Sequence, residues 1–225
     1  MSDFAYDAVG ASGTLGETLR DLAGEAVWEE LVRHSYERWH SPGELLLQQG
    51  EPGTLVLSVL SGVAKVVRTS RGGAPTLLAF RGPGELLGEV AVRGGGVRLA
   101  SVETLSRCKV AVMMAADFTR FVDEHKLSPV LERYALARLR ESTEARGSGD
   151  VLHRLAVTLV KFADISRSRE LAVTHDELAQ HLRCSRNTVT RLLRELESCQ
   201  VWTRRKRIVI DDLPALRCIA ASDGG

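Results

Sequence analysis

Five side chains capable of reading a nucleic acid fall within nine residues: Arg186, Asn187, Thr190, Arg191 and Arg194 in the segment RNTVTRLLR. Arginine presents a two-pronged donor that matches a guanine edge, and asparagine pairs in the same bidentate way with adenine. The apolar residues between them, Val189, Leu192, Leu193 and Leu196, recur at i, i+3, i+4 and i+7, so a helix here buries one face and leaves the polar set on the other. Ten residues further on, Arg204-Arg205-Lys206 is bracketed by the β-prone stretches Val201-Trp202-Thr203 and Arg207-Ile208-Val209-Ile210. A hairpin there carries a basic tip suited to phosphates, which adds affinity and salt dependence more than sequence discrimination. From 183 to 207 there are 8 basic and 2 acidic residues, in a chain whose formal net charge is only +1. Such a local excess is the footprint of a polyanion binder. The competing reading is a solvated face on a small helical domain, and the elements upstream weigh against it.

Thr174-His175-Asp176-Glu177 has a hydroxyl followed three residues later by a carboxylate, the capping box that opens a helix. Leu178, Ala179 and Leu182 then point inward, Cys184-Ser185 interrupts, and Ser185 caps the second helix. Two short helices joined by a few residues, with the small Ala179 where they cross, form a helix-turn-helix. In that motif the second helix enters a major groove of double-stranded DNA by its N-terminal end.

A second constellation lies in the first half. Leu86-Leu87-Gly88-Glu89-Val90-Ala91 is too short for another full strand pair and is followed by Gly94-Gly95-Gly96 and then Arg98. A helical turn opening at Gly88 presents free backbone N–H groups, and Arg98 facing it makes an anion site. Turn chemistry alone is the competing account of these glycines.

Around these sites, residues 1–14 read as a poorly ordered tail, and one or two short helices follow before His40. From Glu44 to Met114, short apolar stretches (45–47, 55–60, 63–67, 76–80, 99–102 and 109–113) alternate with glycine-rich turns about every ten residues, the grammar of a sandwich or barrel. Ala116–Val122 is helical, and Ser128-Pro129 is a helix start, a capping hydroxyl with proline at the first helical position, that leads into a segment with more apolar positions than one stripe requires. That surplus fits a helix lying between its own domain and a second copy of itself. Arg146-Gly147-Ser148-Gly149-Asp150 is the linker, and the balance of charge turns from acidic to basic beyond it.

The chain contains no Gly-x-Ser-x-Gly elbow, His-Glu-x-x-His or P-loop lysine motif, so no enzyme class is indicated. Cysteines at 108, 184, 199 and 218 have no C-x2-C spacing, and six scattered histidines mark no metal or haem site. The longest apolar run, Val110–Ala116, is far too short to span a bilayer, and the N-terminus lacks a basic leader with an apolar core. A reducing, cytoplasmic setting without membrane contact is expected.

Together, LLGEVAVRGGGVRLAS and VTHDELAQHLRCSRNTVTRLLRELE with its basic wing resemble the family of the cyclic-AMP receptor protein and the fumarate–nitrate regulator, over about residues 40–216. The resemblance implies an α+β protein with a cyclic-nucleotide-binding-type β jelly roll (15–127), a long dimerisation helix (128–146) and a C-terminal winged helix-turn-helix (147–225). It implies a homodimeric transcription regulator on a palindromic DNA site, with RNA polymerase as a further partner and cyclic AMP or another cyclic nucleotide as effector. Gly88, Glu89, Val90, Arg98 and Leu99 then line the effector site, with Ser142 and Thr143 reaching the nucleotide base across the dimer. Two positions depart from the pattern. Leu99 stands where the family has a serine for the cyclic phosphate, an exchange unfavourable by about 1–3 kcal/mol. Asn187 stands where a glutamate is frequent, which shifts preference toward adenine. Leu99 therefore leaves open a different effector, or DNA binding that needs none. A dimeric sensor acting through protein contacts is a further alternative, disfavoured by the arginines and the wing. No cysteine precedes Cys108, which excludes the iron–sulfur variant of the family.

Overall fold

The computed structural model describes residues 17–73, 75–144, 150–205 and 207–222, with the side chains of 142–144 left aside. The predicted tail, the linker glycines Gly147 and Gly149, and Lys206 lie outside the described residues.

Two helices, α1 (Leu19–Ala23) and α2 (Glu25–Arg33), open the chain. Eight strands follow: β1 (Tyr36–His40), β2 (Leu45–Leu47), β3 (Leu55–Ser61), β4 (Ala64–Thr69), β5 (Pro75–Arg81), β6 (Leu86–Leu87), β7 (Ser101–Thr104) and β8 (Cys108–Met114), with α3 (Glu89–Gly94) between β6 and β7. They form two antiparallel four-stranded sheets, ordered β1-β8-β3-β6 and β2-β7-β4-β5. Leu47, Leu57, Val59, Ala64, Leu87, Val102, Val110 and Val112 fill the space between them, because alternate residues of each strand face inward. The N-terminal domain is thus a cyclic-nucleotide-binding-type β roll.

Two strands escaped the sequence reading. β1 pairs with β8 from Tyr36↔Val112 to His40↔Cys108, yet most of its side chains are exposed, so it carries no alternating signal. β6 has only two residues, bonded to Leu57 and Ser58. The predicted strand 99–102 is displaced to Ser101–Thr104, since Leu99 precedes the ladder.

After α4 (Ala115–Glu124), the long α5 (Ser128–Glu144) packs Leu131 and Tyr134 against its own domain while Leu136 and Leu139 are exposed. The Leu131 N–H already bonds to the Leu127 carbonyl, so Ser128 lies inside the first turn and does not cap it. α6 (Val151–Ser166), β9 (Glu170–Leu171), α7 (His175–Leu182), α8 (Arg186–Glu195), a 3-10 turn (Leu196–Cys199), β10 (Val201–Arg204), β11 (Arg207–Ile210) and α9 (Leu213–Ala221) complete the C-terminal domain. β9, β10 and β11 make the wing sheet. α9, which packs on α6, was not anticipated. No helix among the described residues is long and apolar enough to cross a membrane.

The two domains share one core. Val63, Leu77 and Phe80 of the roll belong to the same buried cluster as Leu159, Phe162, Leu178 and Val189. The Phe80 and Phe162 rings stack with centroids 4.5 Å apart. A Cβ added at Gly82 would lie 2.1 Å from the Ile165 methyl, so only glycine permits this approach. Beside the stack, Lys65 Nζ reaches Glu177 Oε1 at 2.7 Å, with Glu103 of the neighbouring strand 3.5 Å away.

Phe80→Ala is expected to cost about 3–5 kcal/mol. Urea unfolding followed at Trp28 in the roll and at Trp202 in the wing should show both midpoints falling together. A Trp202 transition left at its wild-type midpoint would contradict the shared core.

Candidate functional site

The helix-turn-helix is built from its caps inward. Thr174 accepts from the Glu177 N–H at 3.2 Å, and Glu177 Oε2 accepts from the Thr174 N–H and hydroxyl at 2.9 and 2.8 Å. One carboxylate oxygen thereby closes the capping box and the other holds Lys65. Burial alone would raise the Glu177 carboxyl, but Lys65 and Thr174 together hold it below the usual range. Leu178, Ala179 and Leu182 are buried, and α7 ends at Arg183 in the left-handed conformation (φ +52°). Ser185 Oγ then accepts from the Thr188 N–H at 3.0 Å and opens α8.

On α8, Val189, Leu192 and Leu193 are buried, whereas Arg186, Asn187, Arg191 and Arg194 are exposed and Thr190 is half-buried. Arg186 lies 3.7 Å from Asp176 and Arg191 lies 2.5 Å from Glu195. Both pairs are solvent-exposed, so they contribute little stability and leave the guanidiniums available. The wing hairpin pairs Val201↔Ile210 through Arg204↔Arg207. Arg204 therefore belongs to the strand end, with exposed Arg205 in the turn. One contact had no sequence signal: His175, at the start of α7, reaches Thr190 Oγ1 on α8 at 2.9 Å.

In the roll, Gly88 adopts φ +89° and N-caps α3, the helical turn expected there. A side chain at Gly88 would meet the guanidinium of Arg98, its Cβ 2.1 Å from Nη1. Arg98 is only 4% exposed and donates to the Gly88 carbonyl at 3.0 Å and to the Leu55 carbonyl at 2.7 Å. Arg98 therefore sits against the glycine that opens α3, with two of its donors held by carbonyl oxygens there. Leu99 is 66% exposed and Val90 is exposed as well. α5 carries Ser142 and Thr143 in its last turn, but their side chains lie outside the described residues.

Behind the cradle sits a polar network that the sequence did not reveal. Glu85 is bonded by the Tyr134 hydroxyl and by Arg138 at 2.7 Å; Arg138 lies 3.3 Å from Glu141, which bonds Arg81 at 3.0 Å. The Leu86 N–H donates to the Tyr134 oxygen at 3.2 Å. Cradle and α5 are tied through this cluster. Burial pushes the Glu89 carboxyl up to about 7, with Arg81 opposing and nearby Glu85 reinforcing the rise. No group of His, Cys, Asp or Glu among the described residues could hold a metal ion.

A β roll of the cyclic-nucleotide-binding type, a long helix and a winged helix-turn-helix together define the architecture of a transcription regulator. Residues 37–125 match the cyclic nucleotide-binding domain family, and residues 153–219 match the Crp-like helix-turn-helix domain family. The chain is 31% identical to the CRP-like cAMP-activated global transcriptional regulator of Mycobacterium tuberculosis, over 76% of this chain and 81% of that one. It is 29% identical to the cyclic AMP receptor protein of Thermus thermophilus, over 78% and 82%. A solved transcriptional regulator of the CRP/FNR family from the same organism superposes with a TM-score of 0.66 at 24% identity, covering 84% of this chain and all of that one. The chain belongs to the Crp/Fnr family of transcription regulators.

Glu89 binds its proton more tightly in the folded chain than at the ordinary value of 4.5, so the stability it lends is present in acid and lost as pH rises through about 7. Glu89→Gln removes that loss. Its melting temperature relative to wild type should climb between about pH 4.5 and pH 7. A difference that stays flat across this range would show that Glu89 titrates normally.

Proposed function

We propose that the protein is a homodimeric, sequence-specific DNA-binding regulator whose helix α8 reads the two halves of a palindromic site. The observation that carries this reading is the exposed face of α8, where Arg186, Asn187, Arg191 and Arg194 stand clear of a buried apolar stripe. Arg186 and Asn187 occupy its first turn, the part of a recognition helix that meets base edges. Thr190 contributes at the following turn, and Arg204, Arg205 and Lys206 take the flanking phosphates. A soluble face of no function would not combine two bidentate side chains with a basic hairpin in this order.

Pairing through α5 supports the dimer. Leu131 and Tyr134 are committed inward, while the exposed Leu136 is apolar surface suited to a second copy. A two-fold dimer sets its two reading helices about one turn of DNA, roughly 34 Å, apart. Gly88, Glu89, Val90, Arg98 and Leu99, with Ser142 and Thr143, form the effector site in this reading. Relatives named for cyclic AMP favour a cyclic nucleotide there.

A second reading, DNA binding without an effector, is favoured by one specific feature. Arg98 already spends two donors on the Gly88 and Leu55 carbonyls, and its neighbour Leu99 offers no hydroxyl. A cyclic phosphate would have to draw Arg98 from these carbonyls or share it with them.

The test starts from a duplex selected out of a random pool by the protein itself. Arg186→Ala should weaken binding to that duplex by about 1–3 kcal/mol and change binding to random DNA far less. Arg205→Ala should weaken both and reduce the salt slope by about one. Equal losses by both variants on both duplexes would overturn these roles.

A further inference from the structure

The contact between His175 and Thr190 joins the first residue of α7 to the second turn of α8. Thr190 Oγ1 lies 3.0 Å from the Arg186 carbonyl one turn earlier and donates its single proton there. With the hydroxyl proton on that carbonyl, the 2.9 Å contact with His175 Nδ1 takes its proton from the ring. In this arrangement the neutral ring carries its proton on Nδ1, and Nε2 is buried with no hydrogen-bond partner.

This arrangement reaches the reading face directly. His175 holds Thr190, Thr190 holds the Arg186 carbonyl, and Arg186 opens the helix that meets the bases. A proton added at Nε2 leaves the Nδ1–H donor in place but puts a charge and a second N–H where the structure offers no acceptor, so the charged ring is held in this site less well than the neutral one. The charged groups near the ring are Arg186 from α8 and Asp176 on its own helix, which lie 3.7 Å from each other. Burial, and then Arg186, keep the imidazole below its ordinary value of 6.5, with Asp176 opposing.

We propose that His175 is a positioning residue for base reading: its neutral ring fixes the first turns of α8, and protonation at Nε2 expels the charged ring from this site and so releases them, so sequence discrimination falls as the medium becomes acidic. The inference rests on the DNA-binding reading above. Its sign is distinctive, since acidification ordinarily strengthens contacts with phosphate by adding positive charge. The ratio of affinities for selected and random duplexes removes that general effect.

The experiment measures this ratio for the full-length protein between about pH 7.5 and pH 5.5, on the duplex that wild type selects at the higher pH. The wild-type ratio should fall about fivefold, the worth of one hydrogen bond. His175→Asn places an amide N–H where Nδ1–H stood and cannot titrate, so it should keep a high ratio at both ends. Thr190→Val removes the acceptor and should give a low, pH-independent ratio. Nitrogen chemical shifts of His175 should report the Nδ1–H tautomer in the free protein. A wild-type ratio that does not fall, a parallel fall in His175→Asn, or the Nε2–H tautomer would overturn the proposal. Failure of wild type to select any duplex would overturn the DNA-binding reading and this inference with it.

Discussion

The β roll and the helix-turn-helix meet along a seam of buried apolar side chains. Phe80 stacked on Phe162, Gly82 against Ile165 and Lys65 on Glu177 make the two domains bury parts of one core. A domain of the size of this helix-turn-helix has a modest core of its own, so apolar area shared with the roll matters to its stability. Glu177 belongs to both structures at once. One oxygen caps α7 and the other neutralises a lysine of the roll, so the start of the reading motif is fixed relative to the sensor sheet.

That geometry limits how a sensor of this kind can act. The cradle is linked to α5 by the cluster of Glu85, Tyr134, Arg138, Glu141 and Arg81, and the roll is linked to α7 by Lys65. An effector changes DNA binding only to the extent that it prefers one domain arrangement over another. Any rearrangement of the reading motif has to slide along the aromatic seam or open it. Lys65 lowers part of that cost: Burial alone would depress its ammonium, but Glu177 and Glu103 raise it, and Glu103 is its own register partner on β7. Released from Glu177, the lysine keeps a carboxylate close by, and Glu177 keeps Thr174. Neither charge is left stranded, which is the usual penalty for breaking a buried pair.

Much of the chain was legible from local pattern. The capping box at Thr174, the cap at Ser185, the buried stripe of α8 and the turn at Gly88 all follow from residue type and short spacing, and each stands where expected. What escaped depends on distant partners. β1 looked featureless because its side chains are mostly exposed and its register is set by β8, some seventy residues later. The Leu55 carbonyl that helps hold Arg98 had no local signal either, since it lies 43 positions away. The bonds to Glu85, the Lys65–Glu177 contact and the His175–Thr190 bond join residues from 15 to 112 positions apart, beyond the reach of any periodicity.

Because the helix-turn-helix and the sheet of the β roll share one cooperative core, native-state hydrogen exchange should find a single opening for both. Amides of β5 from Leu77 to Arg81 and of α7 from Leu178 to Leu182 should exchange through the same opening, with one free energy and one denaturant dependence. Exchange of the α7 amides through a separate, lower-energy opening that leaves β5 protected would show that the two domains are merely adjacent.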